Sequence, residues 1–305
     1  MKNILIITSS YDITVDFIID KFSTKASFYR FNTELLSNYT ISINQTLGWI
    51  IQNENWEVNQ QQIDAIYYRK PSYPDINNYE LKFHRIMQKD ILTFIQGIAE
   101  VFDGICLSKP SILSRADNKI YQLSIANEVG FLLPQTLITN SSSSASKFCN
   151  EANSIVKPLT IGKIYSEQKV GIIQTNIVDK SIEFSGLEVS PTYFQEYIEK
   201  DYEVRVTIVG NYVFAVKIET TNKIDWRKSD YNKYSLVTLP DEIQTKCMVM
   251  LDNLNLKFGA FDFIVNKNKY YFLEVNANGQ WLWLEEALNL NISDCIFAYL
   301  MEEKP

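Results

Sequence analysis

At 305 residues, 46% of them hydrophobic and 21% charged, the chain has the composition of a globular protein able to bury a core in two or three lobes. Its net charge of −7, with no basic stripe, excludes general nucleic-acid binding, and no apolar run reaches membrane length. A single histidine, His84, excludes HExxH and multi-histidine metal centres; four scattered cysteines (Cys106, Cys149, Cys247, Cys295) without a CxxC pair signal neither zinc nor a disulfide framework, which points to a reducing cytoplasm.

The N-terminal "MKNILIITSSYD" has too short an apolar run for a signal peptide and reads as a first strand, "KNILIIT". "YDITVDFIIDKF" follows as a helix and "ASFYRFN" as a strand. "TISINQ" and "GWIIQN" suit a hairpin, and "AIYYRK" is a further strand. Apolar residues spaced i, i+3, i+4 predict a long helix over 77–103, which sets His84 on a helix face without catalytic duty. Any Ser-His-Asp or Cys-His triad would have to use that residue. A short strand at "ICLSKP" completes an α/β lobe over 1–114.

"SRADNKIYQLSIANEVGFLLPQTLITN" predicts one helix ending near Gly130, then a strand. The serine run "SSSSASK" opens a helix by N-capping. β signals dominate thereafter: "SIVKPL", "KIYSEQ", "GIIQTNIV", "YFQEYI", and "YEVRVTIVGNYVFAVKIET" as a hairpin turning at Gly210-Asn211. A helix over 240–253 precedes another hairpin, "FGAFDFIVNKNKYYFLEVN". No internal repeat is present.

The last strand ends in Glu274 and Asn276, two apart and therefore on one face. Asp262 lies in the strand before it. Two carboxylates and an amide oxygen suit a hard cation such as Mg²⁺ held with substrate phosphates; a polar strand exit is the plainer alternative. Register decides between the two. For Asp262 to face Glu274 directly, 266 must pair with 270 around a three-residue loop, Lys267-Asn268-Lys269, with Asn268 or Lys269 left-handed. A regular two-residue loop pairs Asp262 with Leu273 and sends the carboxylates to opposite faces unless a bulge intervenes. Trp281 and Trp283 are either core of a C-terminal helix or part of the site.

Lys119, "GFLLPQTLITN", Lys157, "QEYI", Glu203, Asp262 and Glu274-Val275-Asn276 resemble, in order and spacing, the ATP-grasp superfamily over residues 115–285. "YYRKP", "QEYIEKDYEVRVTIVG", "KIDWRKSDY" and "LEVNANGQWLWLE" look like the graspetide synthetases, microviridin-type maturases that cyclise ribosomal peptides through side-chain esters or amides. The resemblance implies an α/β (α+β) ATP-grasp fold: a pre-grasp lobe (1–114), a central lobe (115–194) and a C-terminal lobe (195–305), with ATP between the last two. It implies that Lys119 and Lys157 hold phosphates and that Gln195, Glu196, Tyr197 and Ile198 form the adenine hinge. Glu203 would bind the ribose, and Asp262, Glu274 and Asn276 would hold Mg²⁺.

The chain departs from that pattern in two places. The glycine-rich loop after Lys157 contains only Gly162, and Ala260 stands where an arginine often precedes the first metal aspartate. Phosphate charge then falls to Arg205, Lys217 or Arg227. A two-residue loop at 210–211 pairs Lys217 with Val204, so either a bulge intervenes or one of Arg205 and Lys217 lies outside the site. Arg69 and Lys70 end a strand of the first lobe and are expected to meet an acidic substrate residue, with Arg227 a second candidate.

The expected activity is ATP-dependent macrocyclisation. Glu or Asp side chains of a precursor peptide become acyl phosphates, which Thr or Ser hydroxyls or Lys amines then displace. With His84 aside, a carboxylate or the substrate itself must serve as base. A ligase adding free amino acids, and a non-catalytic nucleotide-dependent peptide-binding module, are the rival readings. The expected setting is a cytoplasmic homodimer with no nucleic-acid or membrane partner.

Overall fold

The continuous apolar run Ile4–Ile7 is fully buried, as suits an inner strand covered on both faces. In a computed structural model, which describes residues 1–160, 163–165, 170–173, 175–179, 181–224, 226–229 and 231–304, that run lies in β1 (Lys2–Thr8). Helix α1 (Ile13–Phe22) follows, capped by the Asp12 side chain, which accepts from the Thr14 amide at 3.2 Å. Next come β2 (Ala26–Asn32) and a three-stranded antiparallel sheet of β3 (Thr40–Asn44), β4 (Gly48–Gln52) and β5 (Glu57–Asn59). With β6 (Ala65–Tyr68), α2 (Leu81–Glu100) and β7 (Ile105–Leu107), the chain completes a parallel sheet in the order β2-β1-β6-β7. Helix α2 starts later than the predicted 77. A turn takes up the preceding residues, with the Asn77 amide on Asp75 Oδ1 and the Tyr79 amide on the Ile76 carbonyl.

The helix expected over the next stretch is two helices, α3 (Pro110–Ala116) and α4 (Lys119–Val129). Asn118 breaks them apart because its side chain accepts from the Ile120 and Tyr121 amides and so starts a new helix. Gly130 ends α4 in the left-handed region (φ 82°), as predicted. The central segment adds β8 (Thr136–Thr139), α5 (Ser142–Glu151), β9 (Ser154–Lys157), β10 (Lys163–Tyr165), β11 (Val170–Ile172), β12 (Asn176–Ile177) and β13 (Thr192–Glu196). Ser141 caps α5 by accepting from the Ser144 amide, so the serine run does open a helix. Strands β12-β9-β13-β8 form an antiparallel sheet, and β10 pairs with β11.

The remaining elements are β14 (Tyr202–Val209), β15 (Tyr212–Thr220), β16 (Asn232–Leu236), α6 (Asp241–Asn253), β17 (Phe258–Asn266), β18 (Lys269–Asn276), α7 (Leu282–Leu288) and α8 (Ile292–Met301). Five strands form one antiparallel sheet in the order β16-β15-β14-β17-β18. Alternation gives this sheet two unlike faces. Val204, Val206, Phe261, Phe263, Phe272 and Val275 turn to a core shared with Met250 and Leu251 of α6 and Ile125 of α4. The other face carries Glu203, Arg205, Asp262, Glu274 and Asn276. Its far end (Val209, Ala260) is covered by Trp281 and α8, in a second core that reaches Ile4 and Ile6 of β1. Among the described residues no helix is long and apolar enough to cross a membrane.

Both hairpins use two-residue loops. Gly210-Asn211 behaves as predicted, with Val209 opposite Tyr212 and Gly210 at φ 57°. The β17–β18 loop does not have the three residues expected. Asn266 pairs with Lys269, and Lys267 and Asn268 are both left-handed (φ 47° and 62°), the requirement of a type I′ turn. The register is recovered by a bulge: Phe263 pairs with Phe272, Asp262 with Glu274, and Leu273 is left between them.

Candidate active site

The bulge sets Asp262 and Glu274 side by side, and the Asn276 amide spans them, Nδ2 lying 3.1 Å from Asp262 Oδ2 and 3.2 Å from Glu274 Oε1. Cations surround this pair. Lys119, the first residue of α4, donates to Glu274 Oε2 at 2.6 Å, and Arg205 Nη1 donates to both Asp262 oxygens at 2.8 Å. Arg227 Nη2 stands 3.9 Å from Asp262 Oδ2 on a half-exposed side chain. Among the described residues no group of three or more His, Cys, Asp or Glu could hold a metal, so a cation site here depends on the Asn276 amide as well as the carboxylates. The two carboxylates fit a hard divalent ion that takes further ligands from phosphate and water, and Asn276, whose Nδ2 faces them, would join by turning its Oδ1 inward.

The facing wall comes from β9 and β13. Lys157 Nζ donates to Gln195 Oε1 at 3.1 Å and lies 4.5 Å over the Tyr193 ring. Gln195 is buried and spends its own amide on Thr136 Oγ1 (3.1 Å) and the Tyr193 hydroxyl (3.2 Å). Lys157, Gln195, Glu196, Tyr197, Ile198 and Glu203 line one cleft with Arg227, Asp262 and Glu274. The buried Lys200 pairs with Glu203. Sequence reasoning missed the apolar lining from Ile155, Ile264 and Leu273. Ile264 was legible as the residue two beyond Asp262 on the same face, whereas Leu273 shares that face with its neighbour Glu274 only because of the bulge.

Electrostatics follow from this crowding. Burial alone would raise the Glu274 carboxyl, but Lys119 and Lys157 hold it well below the usual carboxylate range. Burial pushes the Lys157 ammonium down to about 8, with Glu274 and Asp262 opposing the shift and Lys119 adding to it. Burial also pushes the Tyr193 hydroxyl up to about 12.

Three expected residues are placed elsewhere. Lys217 pairs with Val204 in a regular register and so points away from Arg205; its Nζ bonds Glu219 at 3.0 Å and lies 4.5 Å over the Tyr202 ring. Arg69 is fully buried with Nε 2.9 Å from Asp12 Oδ2, so its charge is already engaged within the protein rather than offered to an acidic substrate. Lys70 is exposed, at φ 50°, outside the cleft lining. Gly162, the one glycine of the expected phosphate loop, lies outside the described residues, as does Asp225 of "DWR". His84 sits on α2 with Nε2 2.8 Å from the Tyr79 carbonyl.

The tryptophans divide between the two possibilities. Trp281 is core, edge-on to Phe17, while Trp283 packs 5.0 Å from Trp226, which lines the cleft, and 5.1 Å from Tyr234. Gly279 explains the space beside Asp262. A Cβ there would lie 2.7 Å from Arg205 Nη2 and 2.7 Å from the Ala260 Cβ. The guanidinium beside Asp262 therefore comes from β14, across the sheet from the small Ala260.

Residues 116–300 match the family described as the RimK-like ATP-grasp domain. A solved RiPP-associated ATP-grasp ligase from Chryseobacterium gregarium, in complex with ADP and a leader and core peptide, is 30% identical with a TM-score of 0.88, covering 100% of this chain and 98% of that one. Macrocyclase MdnC of Microcystis aeruginosa MRC, bound with precursor peptide MdnA, is 26% identical with a TM-score of 0.89, covering 99% and 100%. A Vibrio vulnificus protein named "Probable alpha-L-glutamate ligase" is 23% identical over 209 residues, 66% of this chain and 68% of its own length.

Proposed function

The chain belongs to the RimK-like ATP-grasp family, and on that premise we propose that it is an ATP-dependent macrocyclase of a ribosomal precursor peptide. It activates Glu or Asp side-chain carboxylates as acyl phosphates and joins them to Thr or Ser hydroxyls, as esters, or to Lys amines, as amides. Residues 1–114 are the pre-grasp lobe, 115–194 the central lobe and 195–305 the C-terminal lobe.

The observation that carries the reading is the cleft itself, where Lys157 and the 195–198 hinge face Asp262, Glu274 and Arg227. A carboxylate is a poor electrophile and must gain a leaving group before a hydroxyl or amine can attack it. In this reading Lys119 and Lys157 pair with nucleotide phosphates, the backbone at Glu196 and Ile198 reads the base, and Glu203 exchanges Lys200 for the ribose hydroxyls. Arg205 and Arg227 neutralise charge on the transferring group. Mg²⁺, which Asp262, Glu274 and Asn276 would hold, supplies further positive charge to that group when bound. Full-length similarity to a ligase solved with ADP, leader and core peptide supports a peptide substrate. The homodimer gains no support from these likenesses and forms no part of the reading.

Incubation with ATP, Mg²⁺ and a cognate precursor peptide should remove one water per ring, with ADP and phosphate released in step. Mild alkali then opens esters and spares amides. The glutamate-ligase relative favours a second reading, addition of a free amino acid, which a mass gain of one residue would reveal.

A further inference from the structure

The loop after β18 is held from the N-terminal sheet. Arg69, which directly follows β6, donates from Nη2 to Gln280 Oε1 at 2.5 Å and from Nη1 to Asn278 Oδ1 at 3.4 Å, while Asp12 pairs with its Nε. Thr14, also buried, donates to the same Gln280 oxygen at 3.1 Å. The backbone of Gln280 then reaches the other way, its carbonyl accepting from Arg205 Nη2 at 3.4 Å. One residue therefore touches two buried arginines from different sheets, the first through its side chain and the second through its main chain. Arg205 completes the series with Nη1 on both oxygens of Asp262.

A buried guanidinium cannot drift without leaving an uncompensated charge, so each end of this chain of contacts is stiff. Between the ends Gly279 leaves the room that Arg205 Nη2 occupies. A carboxylate has about four lone-pair directions; Arg205 takes one on each oxygen and the Asn276 amide a second on Oδ2, which leaves a cation the open side of Oδ1 and the position that Asn276 would yield. How Arg205 sits thus decides which way the remaining lone pairs of Asp262 point.

We propose that Gln280, fixed by Arg69 and Asp12 of the N-terminal lobe, is a positioning residue that sets Arg205 against Asp262 and so orients that carboxylate for the metal. Arg69 acts through this contact and does not meet the peptide. The inference rests on Asp262 being a metal ligand, as in the function proposed above.

The test measures Mn²⁺ binding to the ADP-loaded protein by electron paramagnetic resonance, for wild type, Gln280→Leu, Gln280→Glu and Asp12→Asn. Gln280→Leu removes the acceptor and should weaken Mn²⁺ roughly 10-fold or more, the range found when a ligand's supporting partner is lost. Gln280→Glu keeps an oxygen for Arg69 and Thr14 and should restore wild-type affinity. In turnover assays Gln280→Leu should raise the KM for Mg²⁺ while leaving the KM for ATP unchanged. Asp12→Asn loses the ion pair with Arg69, keeps an oxygen for the cap, and carries the test if Gln280→Leu does not fold. Wild-type Mn²⁺ affinity in both Gln280→Leu and Asp12→Asn, or equal losses in Gln280→Leu and Gln280→Glu, would overturn the inference alone. A wild-type protein that binds ADP but no Mn²⁺ would overturn the metal reading beneath it as well.

Discussion

Asp262 and Glu274 stand directly opposite one another across β17 and β18, and they do so because Leu273 is left unpaired beside them. The two carboxylates differ in what they neutralise. Asp262 is the partner of a buried arginine, whereas Glu274 is paired with the more accessible Lys119.

That difference predicts unequal stability costs. Asp262→Ala leaves the Arg205 charge buried without its partner, a loss of about 3–5 kcal/mol. Glu274→Ala should cost clearly less, because Lys119 can turn to water. Both should abolish ADP production. Calorimetry of the two variants checks the ranking, and equal melting temperatures would show that Arg205 does not depend on Asp262.

Nucleotide affinity should depend on pH through Lys157. The free protein loses that proton at about 8, while bound phosphate favours the charged form and raises its pKa. Affinity is therefore full below about 8 and falls above it, by up to about tenfold per unit. Titration calorimetry at pH 9 in buffers of different ionisation enthalpy should register proton uptake on binding. A lysine already charged in the free protein at that pH would give none.

Lys217 and Arg205 should separate sharply in mutagenesis. Since Lys217 lies on the opposite face of the sheet, Lys217→Ala should keep turnover within a few-fold of wild type. Arg205→Lys should lose most of it, because an ammonium cannot match the paired contacts of a guanidinium. Steady-state kinetics with the precursor peptide decides, and a Lys217→Ala variant as inactive as Arg205→Lys would contradict the register.

Gly279→Ala should be harmful despite its small size. The new methyl would meet the Ala260 Cβ, which cannot swing aside, and the Arg205 guanidinium. A crowding cost of about 1–3 kcal/mol is expected. Denaturant unfolding measures that cost, and loss of Mn²⁺ binding should accompany it.

The sheet faces, the caps at Ser141 and Gly130, and the Gly210-Asn211 turn could be read from the sequence because local pattern alone determines them. The roles given to Lys119, Lys157 and Glu203 came from the resemblance to the ATP-grasp superfamily, and the carboxylate pair from strand alternation. The engaged state of Arg69 could not be read that way. Asp12, Gln280 and Arg69 are far apart along the chain, and nothing local announces that a strand-end arginine finds its counter-charge on a helix cap. The bulge was half legible: the number of residues demanded an irregularity, and a loop or a bulge would have served equally. Lys267 and Asn268 decided it by adopting the left-handed conformation together.

Eleven residues lie between Asp262 and Glu274, an odd number, and direct partners across a regular two-residue hairpin are separated by an even one. The segment therefore behaves like a reading frame. Substitutions within it are errors of spelling, whereas one residue more or fewer makes the count even, which a regular two-residue hairpin pairs directly without a bulge. Frames can also be restored. Removing Leu273 alone leaves ten residues and a regular two-residue hairpin, so the carboxylates stay paired and only the apolar contribution of Leu273 to the cleft is lost.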